Sequence, residues 1–323
     1  MLISTKSVTA LAENMGSKSE TFCSGLFLSA RWFVVSGLDH DGVQMIVMPD
    51  RESAEYCAVD LYNLLEGDCV FFLPDSGKKL EKSNYKASLG VQRTSAIGKI
   101  IDHKEGRLIV VTYPSALEEG VPAPANIRES LLKLNVGDEI SHESIVESLF
   151  GSGFERVDFV AEPGQFAIRG AIVDIFSFSY NDPFRISFFG DEIDSINIFD
   201  CNTQLSKEKV VSAEIYPDLT PPDEEGESGV QIPDILPADT LLWLDSSDMY
   251  RDRSFFPLLE RFRRIYMEVP LSRQNEDAIR FNIAPQPTFN KNFELLTEDI
   301  RKRLEEGYRV RIYGEKQSQL DRL

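Results

Sequence analysis

The sequence predicts an α/β fold with a mostly parallel sheet, joined to a smaller α+β part that holds an antiparallel meander. Three observations carry this. Apolar runs at 44–48, 70–73 and 108–112 alternate with helical stretches at the spacing of right-handed βαβ crossovers. A separate stretch, 165–199, sets three apolar runs between turn residues, the pattern of a meander. With 323 residues, 42% of them hydrophobic, the chain is long enough for two domains.

In order, residues 4–14 read as a helix capped by Ser4 or Thr5, with Val8, Leu11 and Ala12 on one side. A strand at 21–27 runs into Gly25–Arg31 and then a helix, where nucleotide-hydrolysing α/β domains keep a phosphate-binding loop. That loop needs G-x-x-x-x-G-K-[ST]: glycines let backbone N–H groups wrap phosphates, lysine reaches the outer phosphates, and a hydroxyl meets magnesium. Here Gly25 is followed by Ala30, Arg31 and Trp32 in place of the Gly-Lys-Thr end, so the loop is degenerate. The strand at 44–48 ends in Pro49–Ser53, where Asp50 or Ser53 can cap a helix running to Leu65. Residues 74–99 are polar and hold one tyrosine, Tyr85, too few rings for a base-stacking hairpin.

Gly120–Pro124 breaks the α/β pattern and opens an inserted segment. Residues 126–134 read as a helix or an interdomain segment, and 141–151 as a helix with Ile145, Val146, Leu149 and Phe150 on one face, stopped by Gly151. After the meander, 203–211 leads back out, and the acidic, proline-rich 217–233 reads as an exposed loop. Residues 240–245 form an apolar strand ending in Asp245, the shape of a Walker B segment, but Ser246 stands where the water-orienting glutamate belongs. Residues 254–266 have helical spacing, with Phe255, Leu258, Leu259, Phe262 and Ile265 inside and Arg261, Arg263 and Arg264 on a solvated face. A helix at 293–304 closes near Gly307, and 308–312 reads as a strand. A new pattern begins after Glu315, which reads as a segment of a longer protein.

The meander carries the candidate site. Alternation in 184–189 puts Phe184, Ile186 and Phe188 on the core face and Arg185, Ser187 and Phe189 on the outer one. The same rule turns Phe166 and Ile168 inward and Arg169 outward. Arg169 and Arg185 are the only basic residues between Arg156 and Lys207. Two arginines and an outward phenylalanine in an acidic stretch are the materials of an interface anchor.

The net charge of −19 opposes a nucleic-acid surface, which needs clustered Lys and Arg, so the expected partner is a protein. Four scattered cysteines and three separated histidines predict neither a disulfide frame nor a metal site. No run of eighteen apolar residues and no charged-then-apolar leader occurs, so no membrane partner and a cytoplasmic location are expected.

The words Ile168-Arg169-Gly170, Asp174-Ile175-Phe176 and 184–193 (FRISFFGDEI) resemble the UvrA-binding domain of two nucleotide-excision-repair families, UvrB and the transcription-repair coupling factors. A weaker resemblance runs from about Leu11 to the end. It implies a degenerate, UvrB-like nucleotide-hydrolase fold, split into 1–119 and 215–323 by an inserted α+β domain at 120–214. It further implies UvrA as partner, met by Arg169, Arg185 and Phe189. The lost loop chemistry favours the coupling factors: a UvrA-recruiting module without catalytic residues or cofactors. RNA polymerase, DNA and a covering C-terminal domain would then be contacts of other parts of the parent, an ATP-dependent DNA translocase. The alternative is an ATP- and DNA-binding, UvrB-type helicase fragment.

Overall fold

The computed structural model describes residues 6–65, 69–77, 84–219, 229–245, 248, 251–270, 273, 277–284, 287–290, 292–310 and 312. By internal contacts the chain divides into Met1–Phe281 and Asn282–Leu323. In the second unit the described structure is a helix, Phe293–Glu305, capped by Asn292, whose side chain accepts from the backbone N–H of Glu294 and Leu295. The expected strand at 308–312 is not there: Tyr308, Arg309, Val310 and Ile312 have no strand pairing, and Arg311 lies outside the described residues.

The first unit holds seventeen described strands: β1 (Glu20–Ser24), β2 (Gly42–Val47), β3 (Val70–Phe72), β4 (Arg107–Thr112), β5 (Gly120–Val121), β6 (Leu132–Asn135), β7 (Glu155–Arg156), β8 (Gln165–Arg169), β9 (Ile172–Ile175), β10 (Phe184–Phe189), β11 (Glu192–Phe199), β12 (Ser206–Val210), β13 (Ser212–Ile215), β14 (Val230–Gln231), β15 (Leu241–Leu244), β16 (Arg263–Tyr266) and β17 (Ala278–Arg280). Seven of them form one parallel sheet in the order β17-β1-β16-β15-β2-β4-β3. Strands from before and after the inserted segment are interleaved in it, since β15 pairs with β2 and β1 lies between β16 and β17. β2 and β15 are buried throughout, as expected for central strands covered on both faces.

Three helices on this sheet show how sequence sets the elements. Lys6–Ser17 buries Val8, Leu11 and Met15, while Ala12, expected inside, is exposed; Ser4 and Thr5 fall outside the described residues. Arg51–Leu64 starts at Asp50, whose carboxylate accepts from the Ser53 N–H at 2.8 Å. The polar stretch before Lys99 contains a helix, Asn84–Asp102, which sequence reading left unassigned. Its buried face carries Arg93 and Thr94 among Leu89, Ala96, Ile97 and Ile100, so the apolar stripe is interrupted. Arg93 donates to the carbonyls of Pro74, Ala116, Glu119 and Gly120 at 2.9 to 3.3 Å and pairs with Glu119 at 3.7 Å.

The helix expected at 254–266 is corrected by the structure. One turn, Phe256–Leu259, is followed by β16, which runs parallel between β1 and β15. Arg261 and Arg263 are exposed as expected, but Arg264 is buried, donating to Glu20 at 3.0 Å and to the Leu259 carbonyl at 3.0 Å. A buried charge survives in a strand when a partner neutralises it, and here that partner lies on β1, far away in sequence.

The inserted segment opens where β5 pairs with β14, an approach so close that a Cβ on Gly229 would meet the Val121 carbonyl oxygen at 2.8 Å. Residues 126–134 divide between a short helix, Pro124–Ser130, and β6, which pairs with β13. A six-stranded sheet follows, β12-β11-β10-β9-β8-β7, antiparallel except for β7 with β8. The helix His142–Gly151, capped by Ser141, covers one face through Ile145 and Leu149; Phe150 is exposed, its ring edge-on to Phe166 at 5.2 Å. This core gathers Phe166, Phe184, Ile186 and Phe188, inward positions given by alternation, together with Val173, Ile175, Ile193 and Ile196, while Ile168, also expected inward, packs against it partly buried. Asp194 is an extra residue in β11, because Ser187 pairs with Ser195 and Phe188 with Ile193. Among the described residues no helix is long and apolar enough to cross a membrane, and no group of three His, Cys, Asp or Glu is placed to hold a metal ion.

Candidate functional site

Two places carry the expected chemistry. The first is the loop after β1. Gly25 has φ +71°, and a Cβ there would strike the Phe281 carbonyl oxygen, so the loop lies against the chain leaving β17. The helix Ala30–Gly37 then begins, with Trp32 buried. The Arg31 Nη1 donates to Asp245 Oδ1 in an ion pair, its Nε donates to the Leu28 carbonyl at 3.2 Å, and its guanidinium sits 5.0 Å from the centre of the Trp32 ring. The structure therefore joins the residue in the lysine's place to the residue in the magnesium-holding place. Each neutralises the other, and these residues do not fit a nucleotide. Ser246 lies outside the described residues.

The second place is the outer face of the six-stranded sheet. Register sets Ala167, Asp174, Arg185 and Asn197 side by side across β8, β9, β10 and β11, with Arg169, Ile172, Ser187 and Ser195 in the next row. Asp174 is 1% exposed and takes both arginines. Arg185 binds it in a fork, Nε to Oδ1 at 2.8 Å and Nη2 to Oδ2 at 2.9 Å, and Arg169 Nη2 donates to Oδ2 as well. The hydrogen bonds to Asp174 raise the Arg185 pKa above its ordinary value, so its charge is fixed.

This face is less open than alternation alone implies. One end carries a second small core of Val160, Ala167, Phe176 and Phe199, and the Arg185 guanidinium lies 4.0 Å from the Phe199 ring centre. Arg185 is consequently 19% exposed and Arg169 33% exposed. Phe189, next to the β10–β11 turn, is 82% exposed, against a buried Phe188. Arg185 and Phe189 are four residues apart on one strand, a span of about 13 Å at roughly 3.3 Å per residue. Sequence reading missed Asp174, Phe159 and Gln204. Phe159 is 63% exposed, its ring centre 4.9 Å from the Arg169 guanidinium. Gln204, at φ +60°, accepts from Arg185 through its side-chain and backbone oxygens. Asp174 was legible in principle, since pairing the meander's strands sets it opposite Arg185.

The sheet with this face lies inside a stretch that matches a known family: residues 132–220 fit the model described as the UvrB interaction domain. The chain is similar to transcription-repair coupling factors. It is 30% identical over 201 residues to the transcription-repair-coupling factor of Bacillus subtilis, covering 61% of this chain and 17% of that protein. The corresponding factor of Haemophilus influenzae is 28% identical over 188 residues, covering 58% and 16%. The UvrABC system protein B of Methanosarcina mazei is 31% identical over 163 residues, covering 50% and 24%. The matched chain thus spans about a sixth of the coupling factors and a quarter of UvrB. The UvrB interaction domain therefore includes all three expected anchors, Arg169, Arg185 and Phe189.

Proposed function

We propose that this chain is the UvrA-recruiting module of a transcription-repair coupling factor, acting in transcription-coupled nucleotide excision repair in the cytoplasm. The observation that carries the reading is the place of the arginine face within the matched UvrB interaction domain. Arg169, Arg185 and Phe189 are the proposed contacts, on an inserted domain at 120–214 that divides the UvrB-like α/β domain into 1–119 and 215–323. RNA polymerase and DNA are proposed partners of other parts of the parent protein, as is a C-terminal domain that covers this face. ATP-driven translocation belongs to those parts as well.

The test is capture of UvrA by this chain and by Arg169→Ala and Arg185→Ala variants. Loss of an interface anchor should weaken binding by about 2 kcal/mol or more. Arginine's planar fork is not reproduced by an ammonium group, so Arg169→Lys should also weaken it. The similarity to UvrB keeps a second reading in view, an ATP- and DNA-binding helicase fragment. Titration with a fluorescent nucleotide separates the two: the Arg31–Asp245 pair supports no saturable, magnesium-dependent signal at sub-millimolar nucleotide.

A further inference from the structure

The two arginines are held differently. Arg185 has four of its five N–H groups committed: Nε and one Nη2 hydrogen to Asp174, the other Nη2 hydrogen to the Gln204 side chain at 2.9 Å, and Nη1 to the Gln204 carbonyl at 3.3 Å. Its receptor is built. The Gln204 side-chain amide donates back to the Cys201 carbonyl at 2.8 Å, and Asp200 accepts from the Asn202 and Thr203 N–H groups, both at 2.9 Å, closing the turn that presents Gln204. The guanidinium also rests on the Phe199 ring. Arg169 makes one hydrogen bond among the described residues, to Asp174, and its guanidinium lies against the exposed Phe159.

Resting on the UvrA-recruiting reading, we propose a division of labour among its contacts: Asp174 is a positioning residue, Arg185 chiefly holds Asp174 and meets the partner only through its remaining N–H, and Arg169 is the arginine that carries most of the contact. Asp174 is already fork-bound to Arg185, and its second bond aims Arg169. Two guanidinium charges against one carboxylate leave the group with one net positive charge, and the uncommitted donors belong almost entirely to Arg169. Phe159 flanks that donor set with an apolar face. Such a surface fits an acidic segment of a folded partner, a carboxylate set beside an apolar side chain. The contacts within the sheet leave Arg185 little to offer a ligand, because its one remaining N–H is on Nη1.

The test is a double-mutant cycle on the whole chain, reading UvrA affinity by calorimetry and thermal unfolding together. Arg169→Ala should lower affinity at least tenfold with an unchanged unfolding temperature. Asp174→Asn should lower affinity in the wild-type background and lower the unfolding temperature, yet in the Arg169→Ala background it should cause no further loss of affinity. A purely structural role for Asp174 would reduce the two backgrounds by the same factor, and that result overturns the proposal. Wild-type affinity in Asp174→Asn overturns it as well. Wild-type affinity in a combined Arg169→Ala, Arg185→Ala, Phe189→Ala chain would instead remove the UvrA assignment, and this proposal with it.

Discussion

Two of the arginine–aspartate groups among the described residues, one at the loop after β1 and one on the six-stranded sheet, are opposites in charge balance. At the loop after β1, one arginine meets one aspartate: Arg31 and Asp245 are both mostly buried, and their charges cancel. On the six-stranded sheet one aspartate serves two arginines, so a positive charge is left over at the surface. A balanced pair closes a site, because the carboxylate beside the arginine already cancels the charge that would draw an anion. An unbalanced group opens one, because its buried carboxylate fixes geometry without cancelling the charge. The same residue types thus give a neutral pair in one region and a net positive charge in the other.

The largest expected effect tests the sheet that carries the open cluster. Phe188 is buried beside the His142 ring, with ring centroids 4.3 Å apart, and Phe188→Ala should destabilise the chain by about 3 to 5 kcal/mol through the cavity it leaves. Chemical denaturation read by circular dichroism measures this, and a loss below about 1 kcal/mol would mean that the inward face is not the core.

The closed cluster comes next. Asp245→Asn leaves the Arg31 charge without its counter-ion in a mostly buried place, and hydrogen bonds to charged groups are worth about 1.5 to 3 kcal/mol. We expect a stability loss of about 2 kcal/mol in the same denaturation experiment, with nucleotide titration still flat. Were the variant to gain nucleotide binding, the ion pair would be acting as a plug over a competent loop rather than as its replacement.

How much of this was legible depended on whether the pattern was local. β2, the Asp50 cap and the meander could be read because alternation, apolar runs and caps are set by neighbouring residues. β16 could not. Its Arg264 is buried only because Glu20 stands on the adjacent strand, 244 positions away in sequence, and the 255–265 apolar spacing also satisfies a helix. The helix Asn84–Asp102 was hidden for the same reason, since Arg93 is buried among carbonyls from four separate positions. At the candidate site the outward faces of Arg185 and Phe189 followed from period two, whereas the role of Asp174 needed the strand register.

Glu20 supplies a third, intermediate case, with a smaller effect. Burial opposes its ionisation, but hydrogen bonds from Arg273, Tyr266 and Arg264 outweigh this and hold its carboxyl below the ordinary glutamate value. A depressed carboxyl contributes stability that is full above its unfolded pKa and is lost as pH falls through the folded one. Stability should therefore decline on acidification below the ordinary glutamate range. Glu20→Gln, which keeps an acceptor for Arg264, should cost about 1 to 2 kcal/mol at neutral pH and flatten that part of the profile. Denaturation midpoints of both proteins across that range decide it, and parallel profiles would remove Glu20 from the account.

The smallest expected stability change makes the sharpest distinction between a residue that builds the open face and one that serves it. Phe189 stands next to Phe188 and has the same side chain, but it points away from the core and is almost wholly exposed. Exposed substitutions usually shift stability by less than about 0.5 kcal/mol. Phe189→Ala should therefore unfold with the wild-type midpoint while its UvrA affinity falls by about tenfold or more, since an aromatic ring desolvated at an interface is a typical anchor. Phe188→Ala would lose binding only as it loses structure, so at temperatures where it remains folded its affinity should approach that of the wild type. Calorimetric titration of both variants below their unfolding transitions measures the contrast. Equal loss of affinity in the two folded variants would show that the face is read through the shape of the whole domain rather than through the ring of Phe189.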